Sequence, residues 1–293
     1  MPHQSAHRRG AGCGARLDPQ RRAAGRPPVS TGTLWLRLGG GERSVTEDLA
    51  HSGALRLLRP HRGPGARWPT WTVVNPGGGY LAGDDYRIRV EVSAGSGAAL
   101  VGQSATKIYR SDTEATTTQH TEVRLAENSF LDWRAEPVIA YAGARYRQHT
   151  RVEHHRDATL LLAEIVTPGW AADGGEFGWR QLQLCTEVWR ADRLLMLDNL
   201  VLDPLPFGDL MLPGTHLGSL LVFDRRIDGE LVDSLPLPAD GTPVAGASLV
   251  EGPGLVVRVL ADSTEAARSV LDTVADDLRQ RWGFGPRGYR GQW

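Results

Sequence analysis

Lysine is almost absent from this chain. Of 33 basic residues only Lys107 is a lysine, and the rest are arginine. With 35 glycines and abundant alanine, this pattern fits the coding bias of a GC-rich genome, so arginine abundance by itself says little about function. Cysteine is scarce too: Cys13 and Cys185 are the only two. There is no CxxC, and a disulfide-stapled scaffold is not expected. No run of about 18 apolar residues occurs, so no helical membrane span is expected. A formal net charge of −1 gives no support to a nucleic-acid footprint. The hydrophobic content of 41% suffices for a real core, in one large domain or two small ones. The chain reads as soluble and cytoplasmic.

The usual catalytic signatures are missing as well. There is no G-x-S-x-G, no GK[ST], no HExxH and no HxH. An S-x-x-K does occur as Ser104-Ala105-Thr106-Lys107. In serine β-lactamases that spacing places both residues on one helical face. Here the context reads as strand and loop, and neither SDN nor KTG follows, so a Ser/Lys hydrolase is the minor alternative. His154 and His155 are adjacent, and on a strand they point to opposite faces. Cys185 has no metal-binding partner near it in sequence. No tight metal site, no tightly bound cofactor and no catalytic residue are expected.

What is present is period-two alternation. In "YRIRVEV", Tyr86, Ile88, Val90 and Val92 share one face while Arg87, Arg89 and Glu91 share the other. The run 113–125, the stretch "ARYRQHTRVEH" and the more buried "LLLAEIV" at 160–166 read as strands. "WRQLQLCTEVWR" and "LLMLDNLVL" flank a short hairpin loop at Ala191-Asp192-Arg193. "ALRLLRP" and "LVVRVL" are further strand candidates. One long helix is convincing, at about 263–282: Ala267, Val270, Leu271, Val274 and Leu278 form its apolar stripe. Asp262 and Glu265 have the spacing of an N-cap and its partner, and Gly283 suits the stop. Segment 203–216, with three prolines, reads as a loop. Residues 1–29, rich in Arg, Gly, Ala and Pro, read as a disordered extension. Arg8-Arg9 lacks the apolar run a twin-arginine signal needs. Residues 30–293 then form one β-rich domain. The fold class is mainly β: a layered, multi-stranded β structure with one or two helices near the C-terminus.

The stretch "NPGGGYLAGDD", residues 75–85, offers the most distinctive chemistry. Gly77, Gly79 and Gly83 fit a loose dinucleotide-binding pattern, but phosphates sit on a helix N-terminus and an alternating strand follows here. The stretch reads as a glycine-rich turn with positive φ. "NPGGGYLAGDDYRIRVEV" followed by "GQSATKIYRS" resembles the urease accessory protein UreD family, called UreH in some organisms. "FLDWRAEPVIAYAGARYR", "LLLAEIVTPGW", "GEFGWRQLQLCTEVWR" and "GASLVEGPGLVVRVLADS" follow in the family's order, and the similarity covers about 31–282. The departures are Ala82 at a glycine-type position, Glu164 in place of Asp, and the stretched C-terminal "PRGYRGQW".

That resemblance implies a scaffold and chaperone for nickel insertion into urease, and not an enzyme. The implied partners are the urease apoprotein and UreF, with the GTPase UreG engaged through UreF; neither nucleic acid nor membrane is among them. Nickel is implied only in transit. By motif match, Asp84, Ser104, Glu164 and Glu176 are the implied transit positions, with Glu164 standing where an Asp is also found. Asn75, Gly77, Gly78, Gly79, Gly83 and Lys107 form the motif loops. Isolated oxygen donors suit a conduit, which must release the metal it binds. The rival class is a β-rich carbohydrate- or protein-binding module, suggested by Trp and Arg content alone.

Overall fold

The computed structural model describes residues 30–202, 214–239, 241 and 243–288. The extension 1–29, the proline-rich segment 203–213 and the tail beyond 288 lie outside the described residues.

Alternating apolar positions build two sheets that bury one face of each against the other. The first has seven strands: β1 (Gly32–Gly39), β2 (Val45–Gly53), β5 (Asp85–Val92), β8 (Thr117–Leu125), β11 (Arg145–His154), β13 (Gln181–Arg190) and β14 (Arg193–Leu202), in the order β14-β13-β11-β8-β5-β1-β2. The main path of the second runs β16-β17-β15-β12-β9-β6-β4-β3. Its strands are β3 (Arg56–Leu57), β4 (Thr70–Val74), β6 (Gly97–Gly102), β9 (Phe130–Arg134), β12 (Thr159–Val166), β15 (His216–Phe223), β16 (Val244–Val250) and β17 (Gly254–Ala261). The stretch "ALRLLRP" contributes only the two-residue β3.

Between β5 and β13 the chain alternates between sheets, and the successive strands within each sheet run parallel. Two short strands, β7 (Thr106–Ile108) and β10 (Val138–Ala140), pair in parallel along the connections. The centre of the molecule is therefore a coil of strands, each turn stacked on the last. Parallel stacking places equivalent positions of successive turns side by side, so each row of side chains crosses several strands. Hairpins close the arrangement: β13–β14 turns at Ala191, which takes a left-handed φ of 50°.

The inter-sheet core holds Leu34, Leu36, Val90, Tyr86, Tyr146, Leu160 and Phe223, all almost fully buried. A second apolar layer covers the outer face of the second sheet. There the helix Thr264–Arg281 lays Ala267, Leu271, Val274 and Leu278 on Leu161, Leu220, Val257 and Val259. The helix stripe is the one expected, but its cap is Ser263, whose hydroxyl accepts from Ala266 N–H at 3.2 Å, and not Asp262. Ser263 lies directly before the first helical turn with the extended backbone (φ −147°, ψ 158°) that a cap requires. A short helix, Gly229–Asp233, precedes β16.

The helix is also pinned electrostatically. Asp132 on β9 is fully buried and meets Arg279 at 2.6 Å and Arg134 at 2.9 Å; Arg134 reaches Asp272 at 2.7 Å and Asp276 at 2.8 Å. These guanidiniums hold the Asp132 carboxyl at about 2 against the cost of its burial.

Candidate functional site

The glycine turn links β4 of the second sheet to β5 of the first, so it crosses between layers. Asn75 Oδ1 accepts from Gly77 N–H at 2.9 Å and starts the turn. Gly78 and Gly83 have φ of 78° and 81°, the left-handed region where side chains are strained. Gly79 is small for another reason: a Cβ there would lie 2.6 Å from the Tyr109 ring and 2.9 Å from the Lys107 carbonyl. The turn thus presses onto β7, and Tyr80 N–H donates to Lys107 O at 2.8 Å. Asp84 closes it. Its carboxylate accepts from Leu81 N–H at 2.7 Å, from Thr31 Oγ1 at 3.1 Å and from the Tyr86 hydroxyl at 3.2 Å.

Beneath this turn two small cavities run between the sheets. The first, of about 100 Å³, is lined by Gly78, Gly79, Ser104, Lys107, Gln119 and Glu136, among others. The second, of about 50 Å³, is lined by Gln119, Thr121, Gln148, Thr150, Glu136 and Glu164, among others. Thr106, Gln119, Trp133, Ala135 and Glu136 line both, so the two share a wall. Ser104 is exposed at the outer end, and Lys107 is half-buried. The Ser104–Lys107 spacing falls on a loop running into a strand, so it lacks the helical register that would align the two side chains.

The polarity of this interior follows from register. Thr121, Thr150 and Thr186 lie side by side on β8, β11 and β13, and Asp198 of β14 follows in the same row. Gln119 and Gln148 pair in the next row. Gln148 and the three threonines are buried. Tyr80 donates to Gln119 Oε1 at 2.7 Å, and Tyr146 donates to Gln148 Oε1 at 3.0 Å. Tyr80 stacks on Tyr86 at 3.7 Å, which connects this layer to Asp84. Burial pushes the Tyr86 phenol up to about 12 and Tyr80 and Tyr146 upward as well, so all three stay protonated donors.

Glu164 is the acid at the inner end. Its carboxylate accepts a short hydrogen bond from Gln148 Nε2. Burial raises it to about 7, with the charge of Asp198 adding to the rise and Arg258 opposing it. Asp198 and Arg258 pair at 2.6 Å near the edge of the sandwich. Glu136 stands at the shared wall and is held by Arg268 at 2.7 Å.

The structure brings Ser104, Lys107 and Glu164 to these cavities. Asp84 lines neither and reaches them through the two tyrosines. Glu176 lies on an exposed turn away from both; its charge acts instead on His216, whose pKa is lowered by burial and pulled back up by Glu176. Glu136, Gln119 and Gln148 are walls that sequence reasoning did not single out. Their signal was weak: polar residues in the apolar phase of "TTQHTEV" and "RYRQHTRV". One group of metal-ligand type was also hidden from sequence spacing. His149, Cys185 and Glu187 bring ligand atoms within 4.8 Å on the outer face of the first sheet, because β11 and β13 are in register. Cys185 is already engaged in an interaction of its own.

Among the described residues no helix is long and apolar enough to cross a membrane. Residues 30–290 match the family model described as UreD urease accessory protein. The chain is 42% identical over 269 residues to the urease accessory protein UreD of Actinomyces naeslundii, covering 88% of this chain and 97% of that one. The UreD of Paenarthrobacter aurescens strain TC1 is 41% identical, with 83% of this chain and 88% of that one covered. The UreD of Staphylococcus aureus is 30% identical, with 80% and 87% covered. The match over residues 30–290 and relatives 30–42% identical over most of their length show that the chain belongs to the UreD urease accessory protein family.

Proposed function

We propose that this protein acts in urease maturation as a non-enzymatic scaffold, and that its polar interior conducts nickel ions toward the urease apoprotein. It binds the apoprotein and UreF, and engages UreG through UreF. The observation that carries the conduit reading is the pair of adjoining cavities lined by oxygen donors: Glu136, Glu164, the amide oxygens of Gln119 and Gln148, and threonine hydroxyls. Such oxygens hold a borderline divalent ion more weakly than clustered imidazole or thiolate, and weak sites pass an ion onward. The hydroxyl and amide walls replace part of the hydration shell, and Glu164 offsets part of the charge, since Glu136 is already paired with Arg268. A Glu164 that gives up its proton as the cation arrives halves the charge that the interior must carry.

The test is to plug the second cavity. Thr150→Leu adds bulk to the wall of the second cavity, and Glu176→Ala removes an acid outside the cavities. Each variant is purified with UreF, UreG and urease apoprotein, and bound nickel and urea hydrolysis are measured after activation. Thr150→Leu should leave the complex assembled and lower both readouts at least fivefold, whereas Glu176→Ala should lower neither. Wild-type nickel content with Thr150→Leu overturns the conduit reading.

A further inference from the structure

Away from the cavities, the outer face of the first sheet carries a groove of about 1050 Å³ near the ends of β1, β5, β8 and β11. Its organisation is set by one carboxylate. Glu91 is largely buried and is met by Arg37 at 3.1 Å, Arg89 at 2.5 Å and Arg124 at 3.4 Å. Three guanidiniums on one carboxylate leave two positive charges uncompensated. Their side chains remain 50%, 32% and 54% exposed. The Arg89 guanidinium also lies 4.8 Å over the ring of Trp35, which is 39% exposed. Arg156, 77% exposed and paired with Asp157 at 3.2 Å, and Arg190 extend the basic lining. In all, five arginines line the groove against three carboxylates, Asp48, Glu91 and Glu153. Of these acids Glu153 is already held by Arg151 at 2.6 Å. His154 adds no charge near neutrality, because burial lowers its pKa to about 4.

The register sets the spacing. Arg37, Glu91, Arg124 and Glu153 form one row across four adjacent strands. At about 4.8 Å per strand that row spans roughly 14 Å, the length of about four extended residues. Glu91 occupies the focus of the three guanidiniums, so a single small anion is repelled from the centre. A chain of spaced carboxylates can straddle Glu91, meeting Arg37 on one side and Arg124 on the other, with Trp35 as an apolar floor. Fork-shaped guanidiniums suit carboxylates in this way. The chain's own residues 1–29 are not the occupant, since they carry six arginines and one aspartate.

We propose that this groove on the outer face of the seven-stranded sheet docks an acidic, extended polypeptide segment of a partner protein, held by Arg37, Arg124 and Arg156 around Glu91 and Trp35. The inference is independent of nickel conduction.

The experiment titrates the full chain with fluorescein-labelled hexaglutamate and follows anisotropy, with hexaserine, inorganic phosphate and hexauridylate as comparison probes. Hexaglutamate should bind at least tenfold tighter than hexaserine and weaken as salt rises. Arg37→Ser/Arg124→Ser should lose at least tenfold, and the Arg→Lys pair should recover part of that loss. Arg156→Ser, at an exposed rim position, should lose about threefold and serves as the second variant should the pair unfold by circular dichroism. Hexaglutamate binding no tighter than hexaserine overturns the proposal, as does unchanged binding in folded Arg→Ser variants. Phosphate binding as tightly as hexaglutamate makes the groove a small-anion site, and tighter hexauridylate makes it a nucleic-acid site; either result overturns it.

Discussion

Replacing Glu164 by Gln isolates the cost of holding an acid in the interior. The Glu164 carboxyl is raised from 4.5 to about 7 by burial. The folded state therefore keeps a proton that the unfolded chain loses above about 4.5. For an acid with a raised folded pKa the penalty is absent below the unfolded value. It grows as pH rises through the window from 4.5 to about 7 and is complete above it. The rise from 4.5 to about 7 corresponds to about 3 kcal/mol, at about 1.4 kcal/mol for each tenfold change in an equilibrium. Glu164 keeps partial solvent exposure, so about 2–3 kcal/mol is the working figure. Gln keeps the shape and can accept from Gln148 Nε2 through its own amide oxygen. Glu164→Gln should therefore stabilise the chain by about 2–3 kcal/mol at pH 8.5 and by less than about 0.5 kcal/mol at pH 4. Urea unfolding followed by tryptophan fluorescence at the two pH values measures this. Equal stabilisation at both, or destabilisation at pH 8.5, would refute the burial argument. The same variant should mature urease poorly if the conduit reading holds, because a neutral amide cannot offset the charge of an ion.

Other perturbations follow from the same geometry. Asp132→Asn leaves Arg279 buried without its carboxylate, while Arg134 keeps Asp272 and Asp276, and should cost about 3–5 kcal/mol in urea unfolding at pH 7; a loss under about 1 kcal/mol would mean that the network is not what pins the helix. In the parent chain the folded Asp132 pKa lies below the unfolded 3.8, so its contribution is present above 3.8 and disappears as pH falls through about 2. Gly79→Ala forces a Cβ against the Lys107 carbonyl and should cost about 1–3 kcal/mol, whereas Gly77→Ala, which meets only the Asn75 side chain, should cost less than about 1. Thermal melts of the two variants compare them directly, and equal melting temperatures would show that β7 yields to the turn.

Much of the architecture was legible in the residues. Period-two alternation in "YRIRVEV" and "RYRQHTRVEH" marked strands, because a half-buried sheet must alternate. The helix stripe from Ala267 to Leu278 marked the covering layer, because a period of 3.6 presents one face. The cap was misplaced by one residue, since Asp262 and Ser263 are both good caps and the helix begins at Thr264. The "NPGGGYLAGDD" turn was legible as a turn; that it crosses from one sheet to the other was not. Sequence similarity alone carried the family.

What only the tertiary structure decided is the interior. Gln119, Gln148, Thr121, Thr150 and Thr186 are far apart in the chain, and each alone reads as an ordinary strand residue. Parallel stacking of successive turns puts them in neighbouring rows, and no local pattern encodes which rows coincide. The same register sets Glu164 against Gln148, joins Asp84 to the cavities through Tyr86 and Tyr80, and leaves Glu176 on the surface. Local sequence determines which residues alternate and where the chain turns, because those depend on neighbours a few positions away. Which polar side chains meet between two sheets depends on pairing across tens of residues, and folding of the whole chain sets it.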